Sequence, residues 1–249
     1  MFRHRLLLLA PAALLGLGAT AVAATVDGTA RDDSLTGTAE ADTIHARAGD
    51  DLVRARAGAD RVYGGRGADK VEAGAGGDLV LGGPGRDFLE GADGKDNLYG
   101  GRNRDNLFGQ AGDDWLQGGR AQDTVAGGGG VDVLRGQGGD DTLYGGAGDD
   151  RLRGGDGDDS LTDWVPTSFD ATAPADDDVL WAGDGNDFVG VTDGEDDVRA
   201  GRGDDVVKLD DDDAADTVHC GAGDDEVAYY GPADPLDTLI GCETVTVVQ

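Results

Sequence analysis

Positive charge is scarce in this chain. Its 249 residues include 20 Lys or Arg against 51 Asp or Glu, for a formal net charge of -31. That balance excludes a nucleic-acid binder, because each phosphate contact needs a Lys or Arg to displace condensed counterions, and it favours cations as partners. Histidine is limited to His4, His45 and His219 and cysteine to Cys220 and Cys242. Zinc and copper prefer those ligands and are poorly served. The hydrolase signatures H-E-x-x-H and G-x-S-x-G are both missing. The glycine-containing run Gly91 to Asp96 lacks the Ser or Thr that a phosphate loop needs after its Lys95 and carries acid where phosphate would sit.

What the N-terminus does contain reads as a secretory signal over residues 1–24. Arg3 and Arg5 form a basic start, Leu6 to Leu17 an apolar core, and Ala21 to Ala24 a small-residue cleavage site. Cleavage after Ala24 would leave the mature chain still more acidic. No Cys stands near the signal to accept a lipid, and no second hydrophobic span follows. The expected product is secreted and extracellular, with no membrane span once the signal is removed. In that setting Cys220 and Cys242 are expected to form a disulfide, with a two-cysteine metal site as the alternative.

Glycine is abundant, at 46 residues, and its placement is periodic. Written in lines of nine from Gly28, residues 25–162 give fifteen unbroken turns whose sixth position is always Asp, from Asp33 and Asp42 to Asp159. The eighth position is always Leu, Ile or Val, from Leu35 and Ile44 to Leu161. Gly fills most of positions one and four, marking sites where a Cβ would clash or positive φ is required. Asn103 at position four is compatible with that, whereas Arg31, Glu40 and Ala121 fit it less well.

These residues carry a resemblance. The nonapeptide Gly64 to Glu72, GGRGADKVE, resembles the repeats-in-toxin motif G-G-x-G-x-D-x-U-x, and so do Gly82 to Glu90, Gly127 to Arg135, Gly145 to Arg153 and Gly154 to Thr162. The resemblance implies an all-β fold, a parallel β-roll or right-handed β-solenoid with two short parallel sheets. The spacing agrees with it. Six residues of loop followed by three of strand would give one apolar side chain per turn, so turns must stack around the position-eight aliphatics, with positions seven and nine facing outward. Two turns make one coil, strands lie about 4.8 Å apart, and the rod would be roughly 55 Å long.

The resemblance also implies multiple calcium ions, each clamped between loops of successive coils, so that Asp69 works with Asp87, Asp87 with Asp105, Asp132 with Asp150 and Asp141 with Asp159. The candidate ligands are Asp51, Asp60, Asp69, Asp78, Asp87, Asp96, Asp105, Asp114, Asp123, Asp132, Asp141, Asp150, Asp159, Asp187, Asp196 and Asp205. Loop glycines Gly65, Gly67, Gly83, Gly85, Gly128, Gly130, Gly146, Gly148, Gly155 and Gly157 are candidates to present carbonyl oxygens. Calcium accepts six to eight such oxygens without strict geometry, whereas magnesium prefers small octahedral sites that keep water. Arg47, Arg54, Arg56, Arg61 and Arg66 should weaken cation binding nearby, so the best sites are expected from Gly64 to Thr162.

The frame breaks twice. Residues 163–172, with Trp164, Pro166 and Phe169, read as an inserted loop. Four turns then run from Ala173 to Lys208 with Asp178, Asp187, Asp196 and Asp205 in column, and Leu209 and Asp210 shift the frame again. Four last turns are expected to carry Asp216, Asp225, Asp234 and Glu243. Ala214 and Pro232 stand where Gly is wanted, so residues 173–249 read as a degenerate roll and C-terminal cap, closed by a strand at Thr244 to Val248.

Only Thr25 to Asp27 separate the signal from the first turn, which leaves no room for a catalytic domain. The expected function is that of a secreted calcium-binding protein, not an enzyme, that folds on binding its ions. A structural or cell-surface role fits, with a surface or matrix partner of unknown identity. The alternative is an accessory or remnant repeat domain of an extracellular hydrolase or toxin.

Overall fold

The structure, a computed structural model, describes residues 22–163, 176–192, 194–210, 214–231 and 233–248. Most of the signal segment lies outside the described residues, as do Trp164, Pro166, Phe169 and Pro232. The fold is all-β. The chain winds through two twelve-stranded parallel sheets, passing from one to the other at every turn. The first sheet runs from Thr25–Asp27 to Thr238–Ile240 and the second from Ser34–Thr36 to Thr244–Val248. In the regular region each residue pairs with the one eighteen positions on, as Lys70 with Phe88 and Val71 with Leu89. No helix among the described residues is long and apolar enough to cross a membrane.

The strands are longer than the three residues expected. Most have six, such as Lys70–Ala75 and Asn97–Arg102, because the chain stays extended from position seven through position three of the next turn. Side chains on an extended chain alternate in direction. Position eight therefore points inward, positions seven and nine outward, and position one inward again. The core holds the expected aliphatic column, with Val71, Leu89, Leu107 and Leu116 fully buried, and a second column at position one made of Ala46, Ala55, Ala73, Ala182, Ala200, Cys220, Val191, Leu209 and Tyr229. Glycine dominates that second column, which hid its inward direction from a count of apolar residues.

Leu209 is accordingly part of the roll, level with Val191 and Tyr229 in the second sheet. Asp163, just past the strand Ser160–Thr162, packs against the second sheet: its backbone N–H donates to the Gly190 carbonyl at 3.3 Å and its carboxylate accepts from the Thr192 N–H and hydroxyl. Near the C-terminus the column shifts. Asp237, not Asp234, accepts the Asp216 N–H at 3.1 Å, because Thr238 and not Pro235 pairs with Thr217. Glu243 does take the expected place, accepting the Asp225 N–H at 3.1 Å. Thr244–Val248 is a strand, but Val245, the core-facing position of its turn, is 51% exposed, so this strand ends the stack without covering it.

Cys220 and Cys242 are joined by a disulfide with Cα atoms 5.1 Å apart. Cys220 occupies a buried position-one slot, so the bond ties the last coil to the core of the one before it. Closing a loop with a sequence separation of 22 constrains the unfolded chain by about 3 kcal/mol. Reduction should destabilise the last coils by that order while leaving the central turns folded, as hydrogen exchange resolved along the chain would report.

Candidate metal sites

From Asp33 to Asp225 every position-six aspartate leads directly into a strand. Because alternate turns feed alternate sheets, the aspartates form two files, one along each edge of the roll. Asp51, Asp69, Asp87, Asp105, Asp123, Asp141, Asp159, Asp187 and Asp205 form one. Asp60, Asp78, Asp96, Asp114, Asp132, Asp150, Asp178 and Asp196 form the other. Within a file each backbone N–H donates to Oδ1 of the next aspartate: Asp69 to Asp87 at 2.9 Å, Asp87 to Asp105 at 2.8 Å, Asp132 to Asp150 at 2.7 Å and Asp141 to Asp159 at 2.8 Å. The pairs expected to share an ion are thus neighbours in space. The inserted loop does not interrupt the files, since Asp150 donates to Asp178 and Asp159 to Asp187 across it.

Burial separates these residues from most of the other acids, Asp163 and Asp234 being exceptions. Asp96, Asp105, Asp132 and Asp150 are fully buried and the rest of the files nearly so, whereas position-five acids such as Asp50 and Asp140 stay exposed. Oδ2 has no hydrogen-bond partner at Asp51, Asp60, Asp69, Asp78, Asp87, Asp96, Asp105, Asp114, Asp123, Asp132, Asp141, Asp150, Asp159, Asp187 and Asp205. Leaving a buried polar atom unsatisfied is costly, and more so for a charged one. In the first two turns the expense is avoided: Thr29 and Thr38 at position two donate to Oδ2 of Asp33 and Asp42, each at 2.5 Å.

At several turns whose position one is glycine, a second oxygen meets the orphaned carboxylate. A Cβ on Gly64 would lie 2.6 Å from Asp69 Oδ2 and 2.8 Å from the Gly82 carbonyl oxygen of the next coil; one on Gly100 would lie 2.6 Å from Asp105 Oδ2 and 2.7 Å from the Gly118 carbonyl. Glycine at position one thus leaves a cradle bordered by oxygens of two coils. Among the described residues no cluster of three or more His, Cys, Asp or Glu side chains is gathered to hold a metal. One carboxylate per turn beside backbone carbonyls is an all-oxygen donor set of the kind that suits a hard cation such as calcium. Position-two and position-four glycines serve the close stacking of the loops: Gly65, Gly67, Gly83, Gly128, Gly130, Gly146, Gly148, Gly155 and Gly157 have positive φ, whereas Gly85 does not. Asn103 and Ala121 also adopt positive φ, at 75° and 79°.

The cradle makes a sharp prediction. Ala46, Ala55 and Ala73 already occupy position one, so the roll carries a methyl group there once the neighbouring carboxylate and carbonyl shift to make room. Gly100→Ala should therefore keep the β spectrum but fill the space beside Asp105 and reduce the bound calcium, counted by equilibrium dialysis. Unchanged stoichiometry would show that the cradle is not part of the site.

Burial, opposed by the backbone hydrogen bond and reinforced by neighbouring carboxylates, pushes the carboxyl of Asp69 up to about 7, that of Asp105 to about 8 and those of Asp150 and Asp196 to about 9. Asp87 and Asp132 reach about 6. A carboxyl with a folded pKa above its unfolded value of 3.8 holds its proton more tightly when folded. Its stabilising contribution is full below the unfolded value and is lost as pH rises through the folded one. Without calcium, β content should therefore increase as pH falls from about 9 to about 5, and calcium should bind less tightly over the same descent because it displaces protons. Circular dichroism and calcium titrations at several pH values measure both trends.

The pattern of the RTX calcium-binding nonapeptide repeat (4 copies) matches residues 27–62, 54–89, 72–107, 90–125, 99–134, 126–161 and 175–191. Comparison with curated proteins finds no match. The matched segments contain every candidate aspartate except Asp196 and Asp205, and together they cover more than half of the chain.

Proposed function

The chain belongs to the family of RTX calcium-binding nonapeptide repeats, and on that basis we propose that it is a secreted, non-enzymatic protein whose two files of buried aspartates bind calcium and make folding conditional on it. The observation that carries this reading is the row of buried Oδ2 atoms without partners, several of them, such as those of Asp69, Asp87, Asp105 and Asp132, close to a carbonyl oxygen of the next coil. Calcium, when bound, would supply positive charge against these oxygens. The chain contributes the rest. The position-six aspartates hold successive coils in register through Oδ1, keep Oδ2 turned to the cradle, and exclude water by burial.

The surface arginines named above as a weakness lie outside the files. Arg47 pairs with Asp27 at 3.2 Å and Arg54 with Glu72 at 2.9 Å. The N-terminal sequence reads as an export signal, and dissociation constants on the order of 10⁻⁴ to 10⁻³ M for extracellular calcium modules would keep such a chain unfolded until it reaches calcium outside the cell. The test is fractionation of an expressing culture with N-terminal sequencing, followed by equilibrium dialysis against radioactive calcium. The expected product begins at Thr25, is recovered outside the cell and binds several ions. A retained chain with an intact N-terminus, or one that binds no calcium, would overturn the reading.

A further inference from the structure

The two sheets present different outer faces. In the first sheet neither outward column holds an acid from Arg61 and Tyr63 through to Val179 and Trp181, in a chain with 51 acidic residues. The second sheet, over the same coils, carries Lys70, Glu72 and Glu90 and no arginine in those columns. The first sheet's basic residues converge where Arg135 and Arg153 stand directly opposite each other on neighbouring strands, with Arg151 on the same face of the strand Arg151–Asp156. None of the three makes an ion pair among the described residues. Like charges opposed across strands are destabilising, and a surplus of acid elsewhere on the chain has not been used to relieve them.

Aromatic rings flank the cluster on both sides. The Arg135 guanidinium lies 4.4 Å from the Trp115 ring centre, and Trp181, directly opposite Arg153, is 42% exposed. A shallow groove of about 460 Å³ runs between Arg135, Gln137, Arg153 and the glycine backbone at Gly155 and Gly183, with Asp156 and Asp184 also lining it. Asp184 is paired with Arg202 at 3.2 Å.

We propose that this stripe of the first sheet binds an anionic polysaccharide. Guanidinium groups recognise carboxylate or sulfate bidentately, and the exposed part of the Trp181 ring, over which the Arg199 guanidinium also lies at 5.6 Å from the centre, offers an apolar surface beside them for a sugar ring. Strands repeat about every 4.8 Å along the rod, which makes the site linear and open, suited to a polymer rather than a compact ligand. Aspartate-rich loops border the sheet on both edges. They disfavour duplex nucleic acid, with one charge per about 1.7 Å, more than a polymer with its acidic groups spread over successive sugars.

This assignment rests on the chain being an exported, calcium-folded roll. The experiment therefore records circular dichroism and binding on the same calcium-loaded mature chain, using hyaluronate, dextran sulfate, neutral dextran and single-stranded DNA as probes and tryptophan fluorescence as the readout. Hyaluronate or dextran sulfate should bind and neutral dextran should not, and the choice between the two reports carboxylate or sulfate recognition. R135E/R153E should weaken binding about tenfold or more, the effect of losing two charge-assisted contacts, with its β spectrum intact. Lys208→Gln, on the second sheet, should leave binding unchanged. A folded chain that binds no polyanion, that prefers DNA, or that loses binding equally in Lys208→Gln would overturn the proposal. An unfolded chain in calcium would instead overturn the calcium reading beneath it.

Discussion

Chelation of calcium from the mature chain near neutral pH should abolish its β spectrum, and restoring the ion should return it cooperatively. The driving terms are all in the files of aspartates. Most turns bury a carboxylate with one unpartnered oxygen, and each file stacks carboxylates one above the next, so that Asp105 feels both Asp87 and Asp123 and Asp150 feels both Asp132 and Asp178. Buried like charges without counterions are costly. Against them stands a narrow core, one position-eight aliphatic per nine residues plus the small position-one residues, in a chain of net charge -31. So little apolar burial cannot offset the conformational entropy of ordering so many glycines. Because each coil touches only its neighbours, ordering should spread from coil to coil once begun. Circular dichroism across a calcium titration, with chelator as the starting state, measures this. A native β spectrum in chelator at neutral pH would refute it.

Leu116→Ala should be the most damaging of the conservative core substitutions. Leu116 is fully buried in the middle of the first sheet, between Leu98 and Leu134 in the strand register. Removing a buried leucine side chain costs about 3 to 5 kcal/mol when the site cannot collapse, and here the backbone ladders on either side hold the cavity open. The loss is a large share of the roughly 5 to 15 kcal/mol that stabilises an ordinary domain. It should appear as a higher calcium concentration at the folding midpoint. Val245→Ala, at the exposed end of the stack, should shift that midpoint by less than about 0.5 kcal/mol equivalent. Equal shifts for the two would mean that the position-eight column is not the common core.

The columns that matter most were legible without coordinates. Asp at position six and an aliphatic at position eight recur in one frame from Asp33 to Leu161, and the structure turns the first into the two edge files and the second into the core. Other features were hidden for identifiable reasons. Position one is mostly glycine, so its inward direction shows only where Ala, Val, Leu, Cys or Tyr replaces it, as at Ala46, Val191, Leu209, Cys220 and Tyr229. The burial of the aspartates, as opposed to a solvated acidic fringe, depends on neighbouring coils closing over them. Asp237 rather than Asp234 joins the column because the loop before Thr238 is longer than nine-residue counting allows. The arginine stripe was obscured by net charge, which averages over faces; steps of eighteen residues, from Gln117 to Arg135 to Arg153, would have revealed it.

The most direct test of the central claim is a crystal structure of the calcium-loaded mature chain with the ions located by their anomalous scattering. The account predicts peaks in two rows along the edges of the roll, each beside Oδ2 of a position-six aspartate such as Asp69, Asp105 or Asp132. Peaks confined to the exposed acids at position five, such as Asp50, Asp113 and Asp140, with none beside the buried files, would contradict it.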